Sequence, residues 1–296
     1  MRAIVTGGAG FIGSHLVDAL VARGDEVTVV DNFASGRHEN VNEAAKLRER
    51  DIREPFQVDA DVVFHFAAQA DVRVSVERPG YDADVNVVGT INVLEAARAA
   101  SANVVFASTG GAIYGECERP ASEDAKREPL APYGTSKLCG EEYLATYNRL
   151  YGTRHVSLRL GNVYGPRQDP HGEAGVVAIF LSRLRDGRPP RVFGNGEQVR
   201  DYVYVADVVR ATLAAAERSG GVYNVGTGVA TSVLELADLC RRVSGNEIAH
   251  ELASARPGEL QRSVLDPSAA ARELGWRPEV ELEQGLRETW DWIAAR

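Results

Sequence analysis

Cysteine is scarce in this chain. Cys117, Cys139 and Cys240 are scattered through 296 residues, with no CxxC spacing and no histidine pattern nearby. That disfavours a disulfide frame and a zinc site, and the three read as free thiols in a reducing cytosol. No apolar run approaches the roughly 20 residues of a membrane span. Positive charge is also short. The 33 Lys and Arg face 42 Asp and Glu, a net charge of −9, which argues against nucleic acid or an anionic membrane surface as the main partner. There is no internal repeat and no low-complexity tract. The chain enters a strand at once, Arg2-Ala3-Ile4-Val5, without an apolar leader, so a cytoplasmic protein is expected.

What is present is an ordinary globular balance, 44% hydrophobic and 25% charged, of a length suited to one large domain or two smaller ones. Short β-branched runs at 2–6 and 27–31 flank a helical stretch from Gly13 to Arg23, with Leu16, Ala19 and Leu20 on one face. The alternation continues with strands at 62–66, 103–107 and 155–160 and helices at 82–101 and 133–151. Strands alternating with helices predict an α/β fold with a Rossmann-type doubly wound parallel sheet. Their near-continuous apolar character agrees, because such sheets are covered on both faces. Past residue 165 glycine and proline thicken, from Gly165-Pro166 to Gly194 and Gly196. This predicts a smaller, loop-rich, interleaved lobe. The expected division is 1–165 for the dinucleotide-binding domain, with 203–226 returning to it. Segments 166–202 and 227–296, with helices near 232–243 and 283–295, form the substrate lobe.

Gly7, Gly10 and Gly13 follow the first strand at GxxGxxG spacing and open the helix, with Phe11 and Ile12 as further candidate cofactor contacts in the turn. Backbone amides at such a turn approach phosphate oxygens, and the helix N-terminus adds favourable partial charge. Asp31 ends the second strand, where a carboxylate accepts from the adenine-ribose hydroxyls and repels a 2′-phosphate, so NAD is expected. The bland alternative is a glycine turn with a surface aspartate; the strand–turn–helix context speaks against it. Asp51 and Ile52 are candidate adenine contacts. Phe66-Ala67-Ala68-Gln69 suits close passage of the pyrophosphate and ribose.

Tyr133 and Lys137 lie one turn apart on a helix and face the same way. A phenol titrates near 10, but a neighbouring ammonium and an oxidised nicotinamide both favour phenolate, making a base near neutral pH. This spacing is common by chance and gains weight only from the glycine cradle upstream. Ser108-Thr109 follows the strand ending at Ala107, where ligands sit in such sheets. A hydroxyl there can bond a substrate oxygen and relay its proton to Tyr133, or simply make a turn. The pair of motifs points to a nicotinamide-dependent enzyme acting on an alcohol or ketone.

At these positions the chain resembles the extended short-chain dehydrogenase/reductase family, closest to its NAD-dependent nucleotide-sugar epimerases of the UDP-glucose 4-epimerase type. The resemblance rests on Gly7-Gly8-Ala9-Gly10-Phe11-Ile12-Gly13, Asp31-Asn32, His65-Phe66-Ala67-Ala68, Asn86, Ser108-Thr109 with Tyr114-Gly115, Tyr133-Gly134-Thr135-Ser136-Lys137 and Arg200-Asp201-Tyr202, and spans nearly the whole chain. It implies retained NAD, with Asn32 and Asn86 among its contacts. It also implies inversion at C4 of a UDP-hexose through a transient 4-keto sugar, with Tyr133 taking the C4 hydroxyl proton, Lys137 lowering the tyrosine pKa, and Ser108 or Thr109 assisting. Relatives have an unbroken serine run and one residue fewer before the Tyr-Gly pair. Which hydroxyl faces the sugar is therefore open, with Thr109 slightly favoured.

Dehydratase relatives carry an Asp-Glu pair after the active-site threonine, and decarboxylating relatives a glutamate. Here the stretch is Gly110-Gly111-Ala112, so simple epimerisation fits better. The resemblance also implies that Asn162, Arg200 and Arg256 hold the nucleotide diphosphate, that Arg191 and Phe193 form the uracil-side edge, and that Val176 is a further substrate contact. The small Ser263 would admit an N-acetyl group at C2. UDP-glucuronate stays open as substrate, and an NAD-binding regulator is the non-enzyme alternative. A homodimer is expected through the helices at 82–101 and 133–151. Val87, Leu94, Leu138, Tyr143 and Leu144 supply an apolar face, unless they pack on the sheet instead.

Overall fold

The computed structural model describes residues 1–170, 175–256 and 259–296. Its strands are β1 (Arg2–Thr6), β2 (Glu26–Asp31), β3 (Lys46–Glu49), β4 (Val62–His65), β5 (Asn103–Thr109), β6 (Val156–Leu160), β7 (Asn162–Tyr164), β8 (Arg191–Phe193), β9 (Val199–Arg200), β10 (Tyr202–Tyr204), β11 (Gly221–Val225), β12 (Thr231–Ser232), β13 (Glu251–Ala253) and β14 (Arg262–Ser263). Seven form one parallel sheet in the order β11-β6-β5-β4-β1-β2-β3. β4 and β6 are buried at every position because helices cover both faces. β3 is the exception. All four of its residues are exposed at the sheet edge, and its sequence, Lys-Leu-Arg-Glu, carries no apolar run.

The chain leaves β1 toward β2 and β3, then crosses back to β4 on the other side of β1. That reversal opens a crevice at the carboxyl ends of β1 and β4, where open α/β sheets bind ligands. The helix expected over 82–101 comes in three parts: Pro79–Ala83, a π-helical turn Asp84–Val88, and Gly89–Ala99. Such turns mark functional sites often, and this one carries Asn86. The helix Pro132–Tyr151 ends at Gly152, whose φ of 67° forms a left-handed cap.

The second lobe is built from the small sheets β10-β7, β12-β9-β14 and β13-β8 and the helices Val176–Arg185, Val233–Ser244 and Leu282–Ala294. Phe180, Leu181, Val192, Leu236 and Leu286 are buried in its core. The loop-rich expectation for 166–202 misses the ten-residue helix Val176–Arg185, because flanking glycines and prolines mask a short apolar segment. β11 joins the large sheet, and Ala270 and Trp276 from the tail are also buried in that sheet's core. Leu94 and Leu144 pack on the sheet with Phe106, whereas Tyr143 is exposed. No helix is long and apolar enough to cross a membrane among the described residues.

Burial depresses three histidines: His65 to about 3, His155 to about 4, and His15 below its ordinary value. His65 and His155 stay neutral in the fold down to pH 5, while the unfolded chain takes up protons near pH 6.5. Stability is therefore complete above pH 6.5 and declines as pH falls below it. Between pH 7 and pH 5 the loss is about 2 kcal/mol each for His65 and His155. Urea unfolding at the two pH values measures this; equal midpoints would contradict it.

Candidate active site

The glycine turn is dictated by close approach. Gly7 has φ of 71°, and a Cβ there would stand 2.6 Å from the Ala67 amide nitrogen. The β1 turn and the residues after β4 thus meet backbone to backbone across the crevice. Gly10 is the N-cap of the helix Phe11–Ala22 and makes no side-chain cap. The helix therefore presents its first amides and its partial positive charge at the crevice. Asp31, buried at the end of β2, accepts from the Ala9 amide at 3.0 Å and the Phe33 amide at 2.9 Å. Its carboxylate ties the glycine turn to the loop after β2. Asn32 donates to Asp51 at 2.9 Å. The Arg53 guanidinium on Asp51 holds that carboxyl at about 2, so it is ionised at neutral pH. Ile52 is buried against the start of the helix Gly89–Ala99, where a Cβ on Gly89 would meet it at 2.7 Å.

A neutral histidine relay lies under the crevice. Thr6 Oγ1 is 2.7 Å from His65 Nδ1, and His65 Nε2 is 3.0 Å from Thr90 Oγ1. Thr90 donates to the Asn86 carbonyl at 2.6 Å. The Asn86 side chain accepts from the Gln69 amide and donates to the Gln69 carbonyl, both at 2.8 Å, and donates to Ser136 at 3.2 Å. Asn86 and Gln69 therefore fasten the residues after β4, including Phe66, Ala67 and Ala68, to the helix that carries Tyr133. This arrangement of amides, small residues and a buried acid fits a dinucleotide.

Tyr133 stands in the first turn of the helix Pro132–Tyr151, where Pro132 occupies the first position. The helix N-terminus favours negative charge there. One turn on, the buried Lys137 donates to the Ala107 carbonyl at 2.8 Å and lies 4.8 Å from the Phe106 ring centre. Alternation along β5 sends Ser108 and Thr109 to opposite faces. Ser108 donates to Glu141 at 2.5 Å. Thr109 faces the other way: a Cβ on Gly111 would stand 3.9 Å from Thr109 Oγ1 and 3.7 Å from Asn162 Oδ1. Thr109, Gly111 and Asn162 therefore line one space. Gly110 is forced by Leu265, which a Cβ there would strike at 2.6 Å.

In the second lobe the Arg256 guanidinium lies 3.8 Å above the Phe193 ring and that of Arg191 5.7 Å from it. Arg200 and Ser263 are register partners on β9 and β14, and Arg200 approaches Glu259 at 3.7 Å. Val176 opens the helix Val176–Arg185. Pro257 and Gly258, part of the segment by which Ser263 is matched to its relatives, lie outside the described residues.

Sequence reading missed two organising acids. Asp201, buried between β9 and β10, accepts from the Thr227 amide and hydroxyl and from the Gly228 and Leu265 amides at 2.6–3.2 Å. Burial pushes its carboxyl up despite these donors. Its signal was the Arg-Asp-Tyr motif. Glu141, one turn beyond Lys137, forms a buried ion pair with Arg159 at 2.7 Å. No group of three or more His, Cys, Asp or Glu side chains could hold a metal ion among the described residues.

The NAD dependent epimerase/dehydratase family matches residues 3–226. The chain is 46% identical to the UDP-glucose 4-epimerase of Mycolicibacterium smegmatis over 304 residues, 98% of this chain and 97% of that one. It is similar to a Thermotoga maritima UDP-glucose 4-epimerase solved with UDP-glucose: TM-score 0.96, 44% identity, 99% of this chain and 98% of that one. A Thermus thermophilus UDP-glucose 4-epimerase in complex with NAD gives TM-score 0.93 and 46% identity, with 99% of each chain covered.

Proposed function

The chain belongs to the NAD-dependent epimerase/dehydratase family, and we propose that it inverts C4 of a UDP-hexose, interconverting UDP-glucose and UDP-galactose. The observation that carries this reading is the pairing of Tyr133 and Lys137 at the end of the strand bearing Thr109, beside glycines where a dehydratase needs carboxylates. NAD, when bound, supplies the oxidant that takes hydride from C4 and gives it back. The chain's residues do the rest. Tyr133 takes the C4 hydroxyl proton and returns it. Lys137 and the helix N-terminus favour the phenolate. Thr109 bonds the C4 oxygen, since the Ser108 hydroxyl is directed at Glu141. Gly7, Gly10, Phe11, Ile12 and Gly13 carry the pyrophosphate, and Asp31 the adenine ribose. Arg200, Arg256 and Asn162 hold the diphosphate, with Phe193 and Arg191 at the base.

Purified protein converting UDP-galactose to UDP-glucose with no NAD added tests the reading. A product lacking the C6 hydroxyl would replace it with dehydration. Ser263, buried and small, supports acceptance of N-acetyl sugars. Ser263→Tyr should cut the UDP-N-acetylglucosamine rate about 100-fold relative to UDP-glucose; an unchanged ratio would defeat that assignment. We place the enzyme in the cytoplasm as a homodimer. The exposed Val88 and Tyr143 are the contact we assign, and Tyr143→Glu should give a monomer by light scattering.

A further inference from the structure

We infer that Ser108 and the buried pair Glu141–Arg159 are positioning residues for the Tyr133 base, an inference that rests on the C4-epimerase reading. Three successive β5 residues grip one face of the helix Pro132–Tyr151. A Cβ on Gly140 would stand only 2.7 Å from the Phe106 ring. The Ala107 carbonyl takes the Lys137 ammonium at 2.8 Å, and the Ser108 hydroxyl donates to Glu141 at 2.5 Å. The next residue is Thr109. Tyr133, Lys137 and Glu141 follow one another at single-turn spacing, so the grip sets the height and rotation of the base relative to the substrate hydroxyl.

Glu141 is itself fixed. Arg159 reaches its carboxylate with Nη2 at 2.7 Å and Nε at 3.0 Å, the two side chains being only 2% and 3% exposed. A buried ion pair adds little net stability over apolar residues of the same volume, so fixed geometry is the better reason for its presence. Arg159 also donates to the Tyr114 hydroxyl at 2.7 Å, and Tyr114 donates to Asn224 at 2.8 Å. Asn224 donates to the Asp266 carbonyl at 3.2 Å, just past the strand bearing Ser263. One network thus joins the helix of the base, the strand of the substrate hydroxyl and the substrate lobe. The attraction that favours phenolate falls with the ammonium–phenol distance. Loosening this grip should make Tyr133 harder to ionise.

The test follows the ultraviolet titration of Tyr133 in NAD-loaded protein, as the difference from its Tyr133→Phe counterpart. Turnover of UDP-galactose is measured alongside. Glu141→Gln leaves Arg159 buried without its anion and can cost the fold. Ser108→Ala removes one hydroxyl and keeps the ion pair, so it carries the decision. Ser108→Ala should raise the Tyr133 midpoint by about half a pH unit or more. It should also lower kcat about tenfold, with KM moving less than about twofold. Ser108→Thr, which keeps the hydroxyl, should restore both. An unmoved midpoint, even with a lower melting temperature, would reduce the network to a merely structural role and overturn the inference. The titration needs no sugar. Wild-type protein inert toward both UDP-galactose and UDP-N-acetylglucosamine with NAD supplied would defeat the epimerase reading, while the midpoints still decide the role of Ser108.

Discussion

Replacing Tyr133 with phenylalanine should lower kcat for C4 inversion about 10³-fold, the middle of the range for loss of a general acid–base. The ring stays and only the phenolic oxygen goes. The first turn of the helix, the Lys137–Ala107 contact and the Ser136 bond to the Tyr133 carbonyl remain. Bound NAD and the urea midpoint should therefore match the parent. A loss below about tenfold would mean that another group takes the C4 proton. A parallel loss of NAD would mean that the tyrosine mainly holds cofactor.

Gly13→Ala should abolish cofactor retention. A Cβ at this position would lie 2.1 Å from the Gly7 carbonyl oxygen and 3.0 Å from Gly8 Cα. Both obstacles are backbone, so no side chain can swing aside. The turn must open or the helix must retreat, and either change removes the amides from the pyrophosphate. The overlap should cost about 3 kcal/mol of stability and weaken NAD at least about 100-fold. Acid-released NAD per protein chain and a urea titration measure the two effects. Normal NAD content in the variant would show that this turn is not the phosphate cradle.

What the sequence discloses follows the kind of force involved. The apolar runs of β1, β4 and β5 announce buried strands, because a strand covered on both faces carries few polar positions to blur the pattern, whereas β6 alternates as Val-Ser-Leu-Arg-Leu and still buries Ser157 and Arg159. Gly7, Gly10, Gly13, Tyr133 and Lys137 are legible because their chemistry depends on local spacing. β3 is hidden because an exposed edge strand needs no apolar residue. The π turn at Asp84–Val88 is hidden because one extra residue barely disturbs a helical period. The parity that sends Ser108 to Glu141 and Thr109 toward Asn162 depends on how β5 sits in the sheet, which the local pattern Ser-Thr-Gly-Gly does not encode. The Glu141–Arg159 pair and the four donors on Asp201 join residues far apart in sequence, and a charged residue alone reads as surface. The apolar face proposed for dimer contact divides similarly. Leu94 and Leu144 turn inward to the sheet, and Tyr143 remains outside.

The most direct measurement is incubation of the purified protein with UDP-galactose, and separately with UDP-N-acetylglucosamine, without added NAD, resolving the products by chromatography. Appearance of UDP-glucose from the first is the predicted result, and UDP-N-acetylgalactosamine from the second would extend it through the small Ser263. No C4 epimer from either sugar, even after NAD is supplied, would contradict C4 inversion of UDP-hexoses as the function of this site.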